Sequence, residues 1–92
     1  MRQNQKQSKK IRLNFPKILL VENDMYSMEA LKGLVHSFQL ECDSVTSGED
    51  AVSAVKQFME KHQSTYQLII LDYKLPKWNG PFTTNLIRDF LS

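Results

Sequence analysis

Three short segments typical of strands recur along the chain, the first and third of them apolar and the second alternating, and each is followed by a stretch in which apolar residues have helical spacing. Branched apolar residues dominate the first and third segments, which is typical of buried parallel strands. The pattern therefore predicts the element order βαβαβα. We place the three strands at Lys17–Val21, Leu40–Val45 and Tyr66–Asp72.

The first helical stretch follows Asp24, a residue suited to the N-cap position. Apolar residues then recur every three or four positions, which predicts one core-facing side of a helix. Gly33 within this helix costs about 1 kcal/mol relative to alanine, and we expect close packing against the sheet to offset that cost. The expected core positions are Met25, Met28, Leu31, Leu34, Val35 and Phe38.

The second helix is predicted to begin after Ser47, because residues 47–50 have the form of a capping box. The third is predicted to begin near Pro81, since proline favours the first helical position. His62 falls in the polar loop between the second helix and the third strand. The two helices have apolar faces made of Ala51, Val52, Val55, Phe58 and Met59, and of Phe82, Leu86, Ile87, Phe90 and Leu91.

The order of the strands follows from the handedness of their connections. Crossovers between parallel strands are nearly always right-handed, which places helices on both faces of the sheet and gives strand order 2-1-3. The second strand has the mixed polarity of an edge strand. The third strand is almost wholly apolar, yet it also lies at an edge in this order. An exposed edge of this kind favours pairing with another chain.

Polar residues stand where the first and third strands end. Asp72 follows the third strand, and Glu22-Asn23-Asp24 follows the first. Because parallel strands end at one edge of the sheet, these groups are predicted to form an oxygen-rich pocket suited to Mg²⁺. The alternative is that Asp72 only caps a turn. Further along, Asn79-Gly80 tolerates positive φ and is expected to turn the backbone.

The amino-acid composition is that of a soluble, intracellular protein but does not indicate a function. The 92 residues are 41% hydrophobic and 24% charged, as in an ordinary soluble domain, and contain neither a membrane span nor a visible secretory signal. Cys42 is the single cysteine, so the chain forms no internal disulfide. A reducing, cytoplasmic location is the expected one.

The positive charge is concentrated at the start of the chain. Residues 1–17 hold six of the twelve basic residues and no acidic residue, so residues 18–92 carry a net charge of −4. We interpret residues 1–15 as a basic disordered tail or linker. Such a tail could touch nucleic acid or anionic lipid, but it has no aromatic residue before Phe15, and we favour the solvated linker over nucleic-acid binding.

Three motifs together resemble the receiver domain of two-component response regulators. They are residues 17–24 (KILLVEND), 47–52 (SGEDAV) and 71–80 (LDYKLPKWNG). The resemblance covers residues 16–92 and implies a partial, flavodoxin-like doubly wound sheet. A whole receiver has five strands and five helices, so we expect this chain to be the N-terminal part of a receiver, ending after the third helix.

The resemblance also implies a site. Asp72 matches the residue that accepts a phosphoryl group from a histidine kinase, from a histidine phosphotransfer protein, or from the rest of a hybrid kinase that contains the chain. Glu22 and Asn23 match the acid pair that binds Mg²⁺ together with Asp72, and Lys74 matches the position whose backbone carbonyl is a ligand. The usual residue at position 23 is Asp, so an amide there is expected to weaken metal affinity.

Two alternatives remain open besides this phosphoryl-accepting domain, which is not an enzyme in the ordinary sense. The first is a degenerate receiver that acts only as a protein-interaction module, through its exposed sheet edge and third helix. The second is a phosphatase of the haloacid dehalogenase type, which also uses an Asp at a strand end. Those enzymes have a second Asp two residues later, where this chain has Lys74.

Overall fold

The computed structural model describes residues 18–92. The predicted tail at 1–15 lies outside the described residues, as do Pro16 and Lys17. The elements follow the predicted βαβαβα order, and within this range no helix is long and apolar enough to cross a bilayer. They are β1 (Ile18–Val21), α1 (Met25–Ser37), β2 (Cys42–Val45), α2 (Gly48–His62), β3 (Leu68–Leu71) and α3 (Gly80–Leu91).

The three strands form one parallel sheet in the order β2-β1-β3, which confirms the predicted order. β1 lies in the centre and pairs with both neighbours. Its last residue, Val21, lies opposite Val45 of β2 and Leu71 of β3. All three strands therefore end at the same level.

The core has two parts, one on each face of the sheet. Leu19 and Val21 of β1 pack on one face with buried residues of α2 and α3, whereas Ile18 and Leu20 pack on the other face with α1. This alternation follows from the two-residue period of a strand. The helices therefore lie on both faces, as predicted. The buried helix residues of the two clusters are Ala51, Val55, Phe58 and Ile87 on the first face, and Met28 and Val35 on the second.

The prediction for α1 is partly wrong. Met25, Leu34 and Phe38 are 78%, 55% and 67% exposed, although they belong to the predicted apolar face. The helix packs on the sheet through Met28 and Val35, with Leu31 partly buried beside them, whereas Met25 and Phe38 lie at its two ends. Close packing at Gly33 is also wrong, because a Cβ built there has no atom within 4 Å.

The helix ends agree better with the sequence. The Ser47 side chain accepts the N–H of Asp50 at 3.0 Å, as an N-cap does. At its other end α2 continues through His62, where a loop was predicted, because the His62 ring packs against Phe58 with 4.5 Å between ring centroids. Gln63, with φ of 50°, then ends the helix.

The outer side of α3 stays exposed. Thr83 and Ile87 are buried towards the sheet and α2, while Phe82, Phe90 and Leu91 remain 48%, 42% and 38% exposed. β3 is an edge strand, as predicted. Within residues 18–92 no further element covers this margin of the sheet.

Candidate functional site

The polar ends of β1 and β3 lie at one edge of the sheet. Asp72 donates its backbone N–H to the carbonyl of Val21 at 2.9 Å, and Glu22 donates its N–H to the carbonyl of Val45 at 3.1 Å. These bonds continue the sheet by one residue beyond the strands. Glu22 and Asp72 therefore start their loops side by side, both half-buried.

The loop after β1 is held by its own carboxylates. Glu22 Oε2 accepts the N–H of Asp24 at 3.0 Å. Asp24 in turn accepts the N–H of Ser27 at 2.8 Å, which confirms its predicted role as N-cap of α1. This bond is the main cause of a pKa for Asp24 below its ordinary value. Asp24 is therefore the N-cap of α1. Asn23, which is exposed, lies between Glu22 and Asp24 in the loop.

Asp72 makes one hydrogen bond of the kind found in turns. Its Oδ1 accepts the N–H of Lys74 at 3.3 Å. This contact fits the turn-capping interpretation, yet it uses only one carboxylate oxygen. No side chain or backbone group of residues 18–92 donates to Oδ2. The geometry thus leaves an acceptor oxygen available where the strand ends.

Gly80 is needed for close approach, not for a positive φ. The expectation of positive φ at Asn79-Gly80 is wrong: Asn79 has φ of −67°, no described glycine has positive φ, and Lys77 adopts 61° instead. A Cβ on Gly80 would lie 2.7 Å from the backbone carbonyl oxygen of Asp72. A side chain at position 80 would therefore displace the acceptor segment.

The loop after Asp72 packs on the start of α2. The fully buried Thr83 donates its hydroxyl to the carbonyl of Trp78 at 3.0 Å. Gly48 lies so close that a Cβ there would be 2.6 Å from the same carbonyl oxygen. Lys77 also forms an ion pair with Glu49 at 3.6 Å. Sequence reasoning missed Thr83 and Gly48 as positioning residues: Thr83 lies outside the three motifs, and Gly48 was interpreted only as part of the helix-start motif at 47–52.

The predicted ligands offer the donor chemistry that Mg²⁺ prefers. Glu22 and Asp72 provide carboxylates, Asn23 an amide oxygen and Lys74 a backbone carbonyl, all of them hard oxygen donors. Within residues 18–92 no three His, Cys, Asp or Glu side chains form a group that could hold a metal by themselves. A metal here would rely on the amide and the carbonyl as well. The ligand set stays a prediction.

Three known proteins are similar in sequence to most of this chain. No family model matches the sequence. Osmosensing histidine protein kinase SLN1 of Saccharomyces cerevisiae is 31% identical over 77 residues, covering 78% of this chain. Regulatory protein VanRB of Enterococcus faecalis is 34% identical over 74 residues and 80% of this chain. Histidine kinase 5 of Arabidopsis thaliana is 29% identical over 75 residues and 82% of this chain.

These relatives are all much longer than the matched region. This chain spans 6% of the yeast kinase, 30% of VanRB and 8% of the plant kinase. The similarity therefore concerns one region that occurs in proteins of very different length. Together with the three motifs and the parallel β2-β1-β3 sheet, it shows that this chain is related to the receiver domains of two-component signalling.

Proposed function

We propose that this chain receives a phosphoryl group on Asp72 from a phosphohistidine. The observation that carries the proposal is the position of Asp72, directly after β3 and beside Glu22, with one carboxylate oxygen left without a donor from residues 18–92. Similarity to two histidine kinases supports a histidine kinase, or a histidine phosphotransfer protein, as the donor.

The transfer is a displacement at phosphorus. An Asp72 carboxylate oxygen attacks the phosphorus atom, and the bond between phosphorus and the donor imidazole nitrogen breaks. The leaving nitrogen keeps the electron pair and takes a proton from solvent. A carboxylate is a weak nucleophile, so most of the rate comes from positioning and charge neutralisation. Gly80 donates its N–H to the carbonyl of Tyr73, and Thr83 donates its hydroxyl to the carbonyl of Trp78. These two hydrogen bonds hold the loop that begins at Asp72 and so position its carboxylate.

Neutralisation is the role of a bound Mg²⁺, which would offset the negative charge shared by the carboxylate and the phosphoryl oxygens. Glu22, Asn23, Asp72 and the carbonyl of Lys74 are the residues that would hold it. An amide at position 23 contributes an oxygen without a charge. One oxygen of the Asp24 carboxylate accepts the N–H of Ser27 as the N-cap of α1, and we do not include Asp24 in the ligand set. We therefore expect weak metal binding.

The test is phosphorylation by a small donor. The chain is incubated with ³²P-labelled acetyl phosphate and millimolar Mg²⁺, and protein-bound label is measured. The Asp72→Asn variant should lose the label, whereas Asp89→Asn, which changes an exposed Asp on α3, should keep it. Label of equal intensity on Asp72→Asn would remove Asp72 from the mechanism.

A second candidate is an interaction module that transfers no phosphoryl group. The observation that favours it is β3, an apolar strand whose outer edge has no neighbouring strand within residues 18–92. The two candidates differ in what Asp72→Asn does. If Asp72→Asn loses both the label and partner binding, the result favours phosphoryl-dependent signalling. If the wild-type chain binds its partner without being phosphorylated, the result favours the interaction module.

A further inference from the structure

The segment between Asp72 and α3 is a closed loop. Gly80 donates its N–H to the carbonyl of Tyr73 at 3.1 Å, so the two ends of residues 73–80 meet. The backbone of Asp72 is fixed separately, because its N–H donates to Val21 in the sheet. Among residues 18–92, no strand residue forms a backbone hydrogen bond with Lys74. The position of Lys74 therefore depends on what holds the loop.

The far part of this loop is held by apolar burial, by an ion pair and by a hydrogen bond. Leu75 is buried in the core beneath α2 and α3. Lys77 pairs with Glu49, but the Lys77 side chain is 78% exposed, and an exposed ion pair contributes little. The hydrogen bond runs from the Thr83 hydroxyl to the Trp78 carbonyl. Because apolar burial has no preferred direction, this hydrogen bond is the contact that orients the loop backbone.

The loop needs such a restraint because its backbone is strained. Lys77 has φ of 61°, in the left-handed region that residues with a side chain occupy at an energetic cost. A strained residue persists only where its surroundings hold it. Trp78 follows directly, and its carbonyl accepts the Thr83 hydroxyl at 3.0 Å. Removal of the hydroxyl would therefore let residues 74–78 relax.

Thr83 is closely enclosed. It is 0% exposed, and no other polar or charged residue of the described range is fully buried. Gly48 lies against it, since a Cβ at position 48 would clash with the Thr83 hydroxyl. A valine at position 83 has nearly the same shape as threonine, so it would fill the same space and leave the Trp78 carbonyl without this donor.

We propose that Thr83 is a positioning residue for magnesium binding: through the Trp78 carbonyl it fixes the loop that presents the Lys74 carbonyl to the metal. The inference rests on the proposed Mg²⁺-dependent transfer to Asp72, in which that carbonyl is a ligand. A loop that is already ordered binds a ligand more tightly than one that must first become ordered. Groups that orient metal ligands typically change metal affinity about 10–100-fold.

Loss of the hydroxyl should affect metal affinity more than the transfer step. With metal bound, coordination orders the Lys74 carbonyl, and the backbone of Asp72 keeps its bond to Val21. A saturating concentration of Mg²⁺ should therefore restore most of the rate. A purely structural role predicts a different result, in which the fold is less stable but the folded chain binds Mg²⁺ with the same affinity.

The test compares Thr83→Val with Thr83→Ser, which keeps the hydroxyl. Mg²⁺ is titrated into the full chain at a temperature where every variant is folded, and binding is followed by amide NMR signals. Thr83→Val should bind Mg²⁺ about tenfold more weakly, and Thr83→Ser should retain the wild-type affinity. Val35→Ala is the control, because it removes buried volume beneath α1 on the other face of the sheet. It should lower stability and leave the affinity unchanged.

Two further readouts follow the loop and the reaction. Without metal, the Gly80 amide should exchange its proton faster in Thr83→Val than in the wild type, whereas the Asp72 amide should change little. In labelling by acetyl phosphate, half-saturation of Thr83→Val should need about tenfold more Mg²⁺, with the rate at saturation close to that of the wild type. If Thr83→Val does not fold, Thr83→Ala takes its place, with the same expected results.

Several results would overturn the proposal. They are wild-type Mg²⁺ affinity in Thr83→Val, an equal loss in Thr83→Ser, or a loss of the same size in Val35→Ala, since affinity would then follow stability. A wild-type chain that binds Mg²⁺ but takes no label would contradict the proposed function, and the affinities of the variants would still decide the role of Thr83. A wild-type chain that binds no Mg²⁺ would overturn both.

Discussion

Substituting Gly48 by Ala tests whether the loop after Asp72 is held against α2. A Cβ at this position would lie 2.6 Å from the Trp78 carbonyl oxygen and 2.7 Å from Trp78 Cβ, and it would also clash with the Thr83 hydroxyl. Two of these neighbours are backbone or buried atoms that do not simply rotate away. Gly48→Ala should therefore push the loop off the helix start.

The expected loss follows from the cost of overpacking. Inserting a methyl group into a filled site typically costs about 1–3 kcal/mol. Gly33→Ala is the matched control, because it is the same change within a helix at a position with no atom within 4 Å. There the better helix propensity of alanine should stabilise the fold by about 1 kcal/mol. The two variants should thus differ by about 2–4 kcal/mol.

Urea unfolding followed by Trp78 fluorescence measures both effects. Trp78 packs edge-to-face on Phe82, with 5.5 Å between ring centroids, so its emission reports on the loop itself. For a chain of this size a change of 1 kcal/mol moves the midpoint by about 1 M urea. Gly48→Ala should lower the midpoint and Gly33→Ala should raise it. A Gly48→Ala midpoint equal to that of the wild type would refute the packing described here.

Three further predictions concern the site and the sheet. Asn23→Asp should tighten Mg²⁺ binding about tenfold by calorimetry, because it adds a charge beside the cation; unchanged affinity would remove position 23 from the ligand set. Asp24 has a pKa below its ordinary value of 3.8, so its contribution to stability is present above that pH and is lost as the pH falls through the lowered pKa. Below about pH 4 the wild type should then lose more stability than Asp24→Asn, which does not titrate, and parallel losses would refute this. Tyr66→Phe should cost about 1–2 kcal/mol by urea unfolding, since the Tyr66 hydroxyl donates to Asp43 at 2.5 Å. Burial, then that bond, raises the Tyr66 pKa above 10.0, so wild-type stability should fall above pH 10 while the variant shows no such loss.

The sheet and the edge that carries Asp72 were predictable from the sequence. The apolar runs of β1 and β3 have abrupt ends, and right-handed crossovers leave the β2-β1-β3 order. The helix N-caps at Asp24 and Ser47 were also predictable, because capping depends on residues three positions apart. These features depend on local sequence or on general rules of connection.

Features that depend on tertiary neighbours were not predictable. Apolar spacing in α1 shows which residues share a face, but it does not show how far the sheet beneath extends, so the exposure of Leu34 was missed. In the same way, Gly48 and Gly80 look like ordinary turn or helix-start glycines. Their importance comes from a carbonyl brought close by another segment. No local pattern encodes such a contact.

The most direct test of the account is to locate the phosphoryl group. The chain is treated with acetyl phosphate and Mg²⁺, then reduced with borohydride, which converts an aspartyl phosphate to homoserine, and its peptides are sequenced by mass spectrometry. We predict homoserine at position 72 and at no other aspartate. Homoserine at another position, or none from a folded chain that binds Mg²⁺, would contradict the assignment of Asp72 as the acceptor.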